Sequence, residues 1–505
     1  MIFYKLIINF FIFLNIMIIK NKIDELENYL TDASNYKSKA EKVYIPDDKN
    51  ELQNLLKKLY NNNIPYTISG ARTGLTGSAC PDKGVIISLE KFDEIKINAN
   101  KLLATVGTGV IHKDLDNELR KMNLFFPPNP TETNSSIGGN LGTNASGSRT
   151  FKYGATRNWV KSIKMLLANG EEIQIERNKI YSSNNKLCFT TSEGNDYELY
   201  IDDIGMPEIK HAAGYYIKKN MDLIDLFIGM EGTLGVIYEA ELIVLEKPVY
   251  VLGLIIFFDR RTSMMSFVND VRENSITNNK KTIKNTDCIS ARVIEYFDKY
   301  SLDLLRNKYS QIKTDVECAI WVEQEYALEN EEIILEKWYS KIERYSLFSE
   351  DTWTALNEKE HQEFHDFRHE LPVQVYEHLS FKNEKIGTDT AVSISNFNEF
   401  YKYLYAKLDS LGLPYLVFGH IGNCHLHANI FYNNKEEMQK AKTFYFEIIK
   451  ETIRLNGTVS AEHGIGKIKK PYLKEMFKDN IKMMIDIKKI LDPKNLLGQG
   501  NLFEI

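Results

Sequence analysis

From Pro127 to Arg157 the chain reads PPNPTETNSSIGGNLGTNASGSRTFKYGATR. Such a run has too few apolar side chains to build a core and too many glycines for an ordinary helix or strand. Small residues over this length let backbone approach a flat, bulky ligand closely. A second glycine-rich stretch, SGARTGLTG (69–77), has the spacing Gly70-x3-Gly74-x2-Gly77. It is neither a GxGxxG fingerprint nor a P-loop, and a turn and strand follow it instead of a helix. Its backbone N–H groups can still converge on one anion. Either stretch alone could be an irregular surface loop. Two in one region point to a cradle for a phosphate-bearing cofactor.

Far downstream, GHIGNCHLHAN (419–429) and SAEHGIG (460–466) gather four of the ten histidines. His420 and His427 flank a short turn between two strand-like runs, so both rings can face one point. With Glu462 they supply the ligand types of a divalent-metal site, and such a set accepts Zn, Mn, Fe or Co. Adjacent side chains usually diverge, so Glu462 can bind metal while His463 faces substrate as a base. Gly464 and Gly466 leave room beside them. Each histidine taken alone is more often a satisfied structural residue; the constellation favours function. Cys424 and His425 are extra potential ligands, and His425 is expected on the far face of its strand. His361 and His365 in HQEFH share a helix face, but the glutamate is misplaced for HExxH. Both are expected to be solvated.

The rest of the composition narrows the class. Sixty-three basic against 69 acidic side chains give a net charge of −6 with no basic stripe, which argues against nucleic acid. Five scattered cysteines without CxxC spacing argue against a disulfide framework and for a reducing compartment. The opening MIFYKLIINFFIFLNIMIIK reads equally as a membrane anchor or as a start misplaced upstream of Met17. A cytoplasmic location is expected, with peripheral or N-terminal attachment to a membrane left open.

Periodicity places Leu52, Leu55, Leu56 and Leu59 on one face of a helix over 46–62. Strands IPYTIS and GVIISL flank the first glycine loop, and a hairpin turns on Asn169-Gly170. The pattern changes after 248. Strands LGLIIFF, CAIWVEQEY, AVSISNF, YLVFGHI and LHANIFY then alternate with helices over 262–275, 328–344, 354–378, 396–410 and 434–455. An antiparallel sheet with helices on one face follows from that order. A last helix is expected over 474–491.

The blocks SGARTGLTG, FPPNPTE, GGNLGTNASGSRTFKYGATR and GMEGTLGVI resemble those of FAD-linked oxidoreductases with the vanillyl-alcohol-oxidase-type flavin fold. GHIGNCHLHAN and SAEHGIGKIKKPYL are similar to the C-terminal blocks of the branch containing D-lactate dehydrogenase, D-2-hydroxyglutarate dehydrogenase and the glycolate oxidase flavin subunit. The likeness runs from about 30 to 503. It implies an α+β chain with an N-terminal segment (1–39), a two-subdomain FAD-binding domain (40–248), a substrate cap (249–415) and a C-terminal segment (416–505) that returns to the flavin. By this resemblance Ser69, Gly70, Ala71, Arg72, Thr73, Gly74 and Gly77 hold the FAD pyrophosphate. Pro130, Thr131, Gly138, Gly139, Asn140, Thr143, Asn144 and Gly147 line its other contacts, and Glu231, Gly232 and Ile237 lie along the dinucleotide. Arg368 in FRHELP matches the family's substrate arginine, Asn429 matches its polar substrate contact, and Lys385 is a weaker match. Many relatives read GDGN where this chain has Gly422-Asn423-Cys424-His425, which leaves the full ligand set open.

The implied reaction is oxidation of a D-2-hydroxy acid, D-lactate or a similar small acid. A divalent metal, Zn or Mn, lowers the pKa of the C2 hydroxyl, a base takes its proton, and flavin takes the hydride. FAD is expected to be noncovalent, because residues 65–79 contain no His or Cys and Cys80 is the one nearby thiol. The electron acceptor could be a quinone, a cytochrome, an electron-transfer flavoprotein or an iron–sulfur protein, and a homodimer is possible. Rival readings are a fold-sharing alkyl transferase without net redox, and a flavoprotein subunit of a larger complex.

Overall fold

The computed structural model describes residues 17–279, 287–379 and 384–505. Residues 1–16, most of the apolar opening stretch, lie outside the described residues. Among the described residues no helix is long and apolar enough to cross a membrane.

The N-terminal lobe is built on two sheets. In the first, Lys42–Ile45, Val85–Ser88 and Tyr66–Ser69 run parallel, and Ile18–Lys20 adds an antiparallel edge. The helix Lys49–Asn61 starts where the Asp48 carboxylate accepts the N–H groups of Asn50 and Glu51. Its four leucines are buried against Tyr66, Val85 and Ile87, as their spacing predicts. Residues 17–39 are part of this lobe. Beyond the edge strand, the Asp32 carboxylate accepts the Gly77 N–H at 3.0 Å, and the Arg72 guanidinium lies 4.5 Å over the Tyr29 ring. The second sheet is antiparallel, in the order Ile95–Asn98, Leu103–Gly107, Val236–Ile243, Val160–Leu166, Glu172–Glu176. Its last two strands form the hairpin expected at Asn169-Gly170, where Gly170 takes φ +84°. Within the glycine-rich 127–157 stretch stand two short helices, Ile137–Thr143 and Thr150–Tyr153. The first exists despite its glycines because Ser136 caps it, its Oγ accepting the Gly139 N–H at 3.2 Å.

The second lobe is one antiparallel sheet in the order Trp353–Ala355, Tyr250–Phe258, Cys318–Tyr326, Ala291–Asp298, Tyr415–Gly419, His425–Tyr432, Glu384–Gly387. The sheet thus continues across the 415/416 boundary expected from sequence. Alternate residues of Tyr250–Phe258 enter two different cores, so helices cover both faces, where one was expected. Leu252, Leu254 and Ile256 meet Arg261–Asn279, Glu331–Tyr345 and Ile394–Leu411 on one side. Ile255 and Phe257 share a core with residues of Lys299–Leu305 and Glu358–Leu379 on the other. AVSISNF is not a strand: only Thr390–Ala391 pairs, and the helix Ile394–Leu411 follows Ser393 directly. Period-2 apolar spacing over so few residues also fits one turn of an amphipathic helix, and the helix wins here by burying Phe397 and Phe400. Conversely, Ala291–Asp298 is a central strand that the sequence reading passed over.

After the helix Lys435–Arg454 the chain returns to the N-terminal lobe. The expected single helix over 474–491 is two, Lys470–Phe477 and Ile481–Leu491, separated by a short turn at Lys478–Asn480. The Lys488 ammonium is buried, paired with Asp492 and donating to the carbonyls of Thr233 (2.7 Å) and Leu497 (2.8 Å). Tyr66 exchanges backbone hydrogen bonds with Leu496 and Gly498, which fixes the tail beside the first glycine loop.

Candidate active site

Tyr415–Gly419 and His425–Tyr432 pair antiparallel, with Phe418 opposite His427. His420 leaves the end of the first strand into a tight turn, and His427 points from the second, so the two ring centres stand 5.7 Å apart. Glu462 arrives from the C-terminal loop. Its Oε2 is 3.3 Å from His420 Nε2 and its Oε1 is 3.2 Å from His427 Nε2. The tautomers follow from the other ring nitrogens. His427 Nδ1 lies 3.2 Å from the Thr388 carbonyl, which only accepts, so Nδ1 carries the proton and Nε2 a lone pair. His420 Nδ1 is 2.5 Å from Glu295 Oε1, and its Nε2 is buried without a hydrogen-bond partner. Two imidazole lone pairs therefore face the two oxygens of one carboxylate. Acceptors do not attract acceptors, and a cation among these three groups resolves the clash, so the residues fit a divalent metal.

His425 is not on the far face. Residues two apart on a strand share a side, and its ring lies 4.4 Å from that of His427, fully buried. Its Nε2 is 3.1 Å from Asp389 Oδ1. Cys424 turns away into the opposite core at φ +57°, where burial pushes its thiol up to about 11. A second possible ligand group, Asp389 with His427, Glu462 and His463, is less apt. Asp389 is already engaged by the Ser460 hydroxyl (2.7 Å), the Lys469 ammonium (2.6 Å) and the backbone N–H groups of Glu462 and His463. Its task is to shape the 460–466 loop.

Two cations were missed by sequence reasoning: Lys210 is a single lysine in its segment, and Lys469 is one of three lysines in GKIKK with nothing in the pattern to single it out. Lys210 is buried and its Nζ is 2.7 Å from Glu462 Oε2. Burial pushes the Glu462 carboxyl up, but the buried Lys210 ammonium beside it outweighs this and holds the group well below its usual range. Lys469 acts likewise on Asp389, alongside His463. His463 itself stacks on His427 with ring centres 5.4 Å apart and is 28% exposed, the most open of the four histidines. Its Nδ1 lies 3.4 Å from Asp389 Oδ2 and its Nε2 3.6 Å from Glu462 Oε1.

The expected substrate contacts gather beside this cluster. The Arg368 guanidinium lies 4.7 Å over the Phe418 ring, its Nε donates to Glu295 Oε2 at 3.3 Å, and its Nη1 is buried without a partner. Asn429 shares a strand face with His427, and its Oδ1 accepts from Lys385 Nζ at 2.9 Å. Burial alone pulls the Lys385 ammonium down to about 8. His361 and His365 are not solvated. His361 reaches Glu323 Oε1 at 3.2 Å and the Val251 carbonyl at 3.0 Å, and the His365 ring stands edge-on to Trp321. Their helix lies flat on the sheet, so the face they share points into the protein.

The glycine stretches border this centre. Thr76 Oγ1 donates to the His463 carbonyl at 3.4 Å, and Ser146 Oγ to Glu462 Oε2 at 3.4 Å. The two stretches also touch each other. A side chain at Gly70 would strike Ser136 Oγ, and within the second stretch one at Gly147 would strike the Asn129 carbonyl beside Pro130. In contrast, Gly142 faces open space and Gly74 nearly so, so the cradle has room for a flat cofactor. Asn140 Nδ2 is buried with no partner, a free donor at its edge. Thr131 and Thr143 lie on the accessible side of the same loop, although Thr143 Oγ1 donates to Gly139. Asn144 spends its amide on Arg157 N–H and the His211 carbonyl. Ile237 is buried in the second sheet, and Gly232 takes φ +63°. The Glu231 carboxylate accepts from Ser78 Oγ (2.8 Å), Ile465 N–H (2.7 Å) and Gly466 N–H (2.8 Å), fastening the 460–466 loop to the first glycine loop. Cys80 is fully buried beside Asp32, and burial pushes its thiol up to about 12.

Fold and site together define an FAD-dependent oxidoreductase of the vanillyl-alcohol-oxidase type. Residues 40–176 match the model of the FAD binding domain, and residues 260–502 that of the FAD linked oxidases, C-terminal domain. The chain belongs to the family of FAD-linked oxidoreductases that joins these two domains. It is 28% identical to "Glycolate oxidase subunit GlcD" of Bacillus subtilis over 94% of this chain and 92% of that protein. It is 27% identical to "D-lactate dehydrogenase" of Archaeoglobus fulgidus, over 91% of this chain and 90% of that protein. Identity to "D-2-hydroxyglutarate dehydrogenase" of Stutzerimonas stutzeri is 24%, over 95% of both chains. Among solved structures, an alkyldihydroxyacetonephosphate synthase shares the fold with a TM-score of 0.65 at 14% identity, covering 98% of this chain and 84% of that one.

Proposed function

We propose that the chain oxidises a small D-2-hydroxy acid, D-lactate or one of similar size, to the 2-oxo acid, using FAD and a divalent metal held by His420, His427 and Glu462. The observation that carries this reading is the pair of Nε2 lone pairs set against one carboxylate, next to an arginine with an unpaired buried N–H. When bound, the metal supplies Lewis acidity at the C2 hydroxyl and FAD accepts the hydride. The chain's own groups do the remaining work. Arg368 offers its Nη1 to the acid's carboxylate, and Asn429 and Lys385 stand on two neighbouring strands and hydrogen-bond to each other. His463, with Nδ1 turned to Asp389, keeps Nε2 for the hydroxyl proton. Relatives named D-lactate dehydrogenase, D-2-hydroxyglutarate dehydrogenase and glycolate oxidase support a 2-hydroxy acid as the substrate class. Electrons then leave to a quinone, cytochrome, electron-transfer flavoprotein or iron–sulfur protein.

Neighbouring residues with different tasks give the test. Glu462→Ala removes a ligand, so metal content and the rate of flavin reduction should fall together. His463→Ala should keep FAD and metal while flavin reduction slows by roughly 10²–10⁴-fold. Added metal should partly restore the first variant and leave the second unchanged. Loss of metal from His463→Ala with retention in Glu462→Ala would reverse the roles and defeat the reading.

A further inference from the structure

Glu295 stands in the apolar strand Ala291–Asp298 with no solvent exposure, and its nearest neighbours on the same face, Val293 and Phe297, are fully buried. A carboxylate in that place is costly unless its partners require it. Its two oxygens serve two partners. Oε1 is 2.5 Å from His420 Nδ1, and Oε2 accepts from Arg368 Nε at 3.3 Å. The far nitrogen of that histidine faces Glu462, and Nη1 on the far side of that arginine is buried without a partner. One rigid group thus holds the back of a metal-facing imidazole and the back of an anion-facing guanidinium.

We propose that Glu295 is a positioning residue that couples the cation-binding half of the site to its anion-binding half. The inference rests on the function proposed above. Turning the carboxylate to improve one contact weakens the other, so the ring and the guanidinium hold a common register. Protons on His420 Nδ1 and Arg368 Nε require an acceptor at both oxygens. An amide at this position offers one oxygen and one NH2, and must set a donor against a donor on one side. Glu295→Gln therefore preserves volume and breaks the double contact. Glu295→Asp keeps the charge but is one methylene too short to span both partners.

Two measurements on the FAD-loaded protein separate the halves. Equilibrium dialysis with Mn²⁺ in the absence of acid reads the histidine side. Anaerobic stopped-flow reduction by D-lactate at saturating Mn²⁺ reads the arginine side, as an apparent Kd distinct from the limiting rate. Both variants should bind Mn²⁺ on the order of 10–100-fold more weakly. Their apparent Kd for D-lactate should rise roughly tenfold, with FAD content near that of the wild type. Arg368→Lys, which gives up the Nε contact to Glu295, should move the acid affinity most and, through the shared carboxylate, weaken Mn²⁺ binding by less than the Glu295 variants do. If both substitutions weaken Mn²⁺ but leave the acid affinity intact, Glu295 only braces His420 and the coupling is wrong. Wild-type affinities for both ligands in either folded variant overturn the inference alone. A wild-type protein that takes up no Mn²⁺, or is reduced by no small D-2-hydroxy acid, overturns the functional reading and this inference with it.

Discussion

Lys210 answers one oxygen of Glu462 at 2.7 Å and leaves the other to His427. A buried carboxylate stripped of its cation is strongly destabilised, by roughly 3–5 kcal/mol. Lys210→Met should therefore lower the Tm of the metal-free protein, and added divalent metal should raise Tm by more than in the wild type. An equal metal-induced rise in both proteins would show that Lys210 does not share the carboxylate with a metal. Cys80 bears on the flavin linkage. With no exposure and a thiol pushed up to about 12, it is a poor nucleophile. Acid precipitation should leave the yellow colour in the supernatant, and a yellow pellet would mean a covalent bond. At this scale His420, His427 and Glu462 were legible because short-range spacing marks them. Glu295, Asp389 and Lys210 were not, because each is a lone charge whose partner lies far away in sequence: 125 residues separate Glu295 from His420, and 252 separate Lys210 from Glu462. The available signal for Glu295 was one acidic residue inside ARVIEYFD, an otherwise apolar strand.

Among the elements, the central strand Ala291–Asp298 ends where Asp298 caps the helix Lys299–Leu305, its Oδ1 accepting the Ser301 N–H at 2.8 Å. Burial pushes this carboxyl up to about 7 against the hydrogen bonds from Ser301, and its Oδ2 is buried without a partner. A carboxyl raised in the folded state binds its proton more tightly there than in the unfolded chain. Its favourable contribution is complete below the unfolded pKa near ~3.9 and is lost as pH rises toward 7. Asparagine caps a helix about as well as aspartate and does not titrate. The Tm difference between Asp298→Asn and the wild type should grow in favour of the variant from pH 4 to pH 7 and then level off. A difference that is flat with pH would show that Asp298 is charged when folded. Element readings failed where local pattern is ambiguous. AVSISNF alternates like a strand, but Ser393 sits just ahead of a helix whose apolar face then takes over. HQEFH looked solvated because its polar residues share a face, yet Glu323 and the Val251 carbonyl wait under that face.

Over the whole molecule, the two lobes meet at the 460–466 loop. Asp389 grips it from the cap sheet and Glu231 from the flavin lobe, so the proposed metal ligand Glu462 and the proposed base are set from both sides. The lobes and the return of the C-terminus were legible through the family resemblance that the glycine blocks and the histidine blocks carry. The second helical layer was hidden, because the helices on the two faces of an antiparallel sheet have the same amphipathic period. The proposed function requires this centre to move hydride from a D-2-hydroxy acid to flavin. Its most direct test is the flavin absorbance of the metal-loaded protein, followed without oxygen while 2-hydroxy acids are added one by one. A small D-acid such as D-lactate should bleach the flavin, more slowly when the acid carries deuterium at C2, and the L-acid should not. A flavin that stays oxidised with every 2-hydroxy acid, or is bleached equally by both enantiomers, would contradict it.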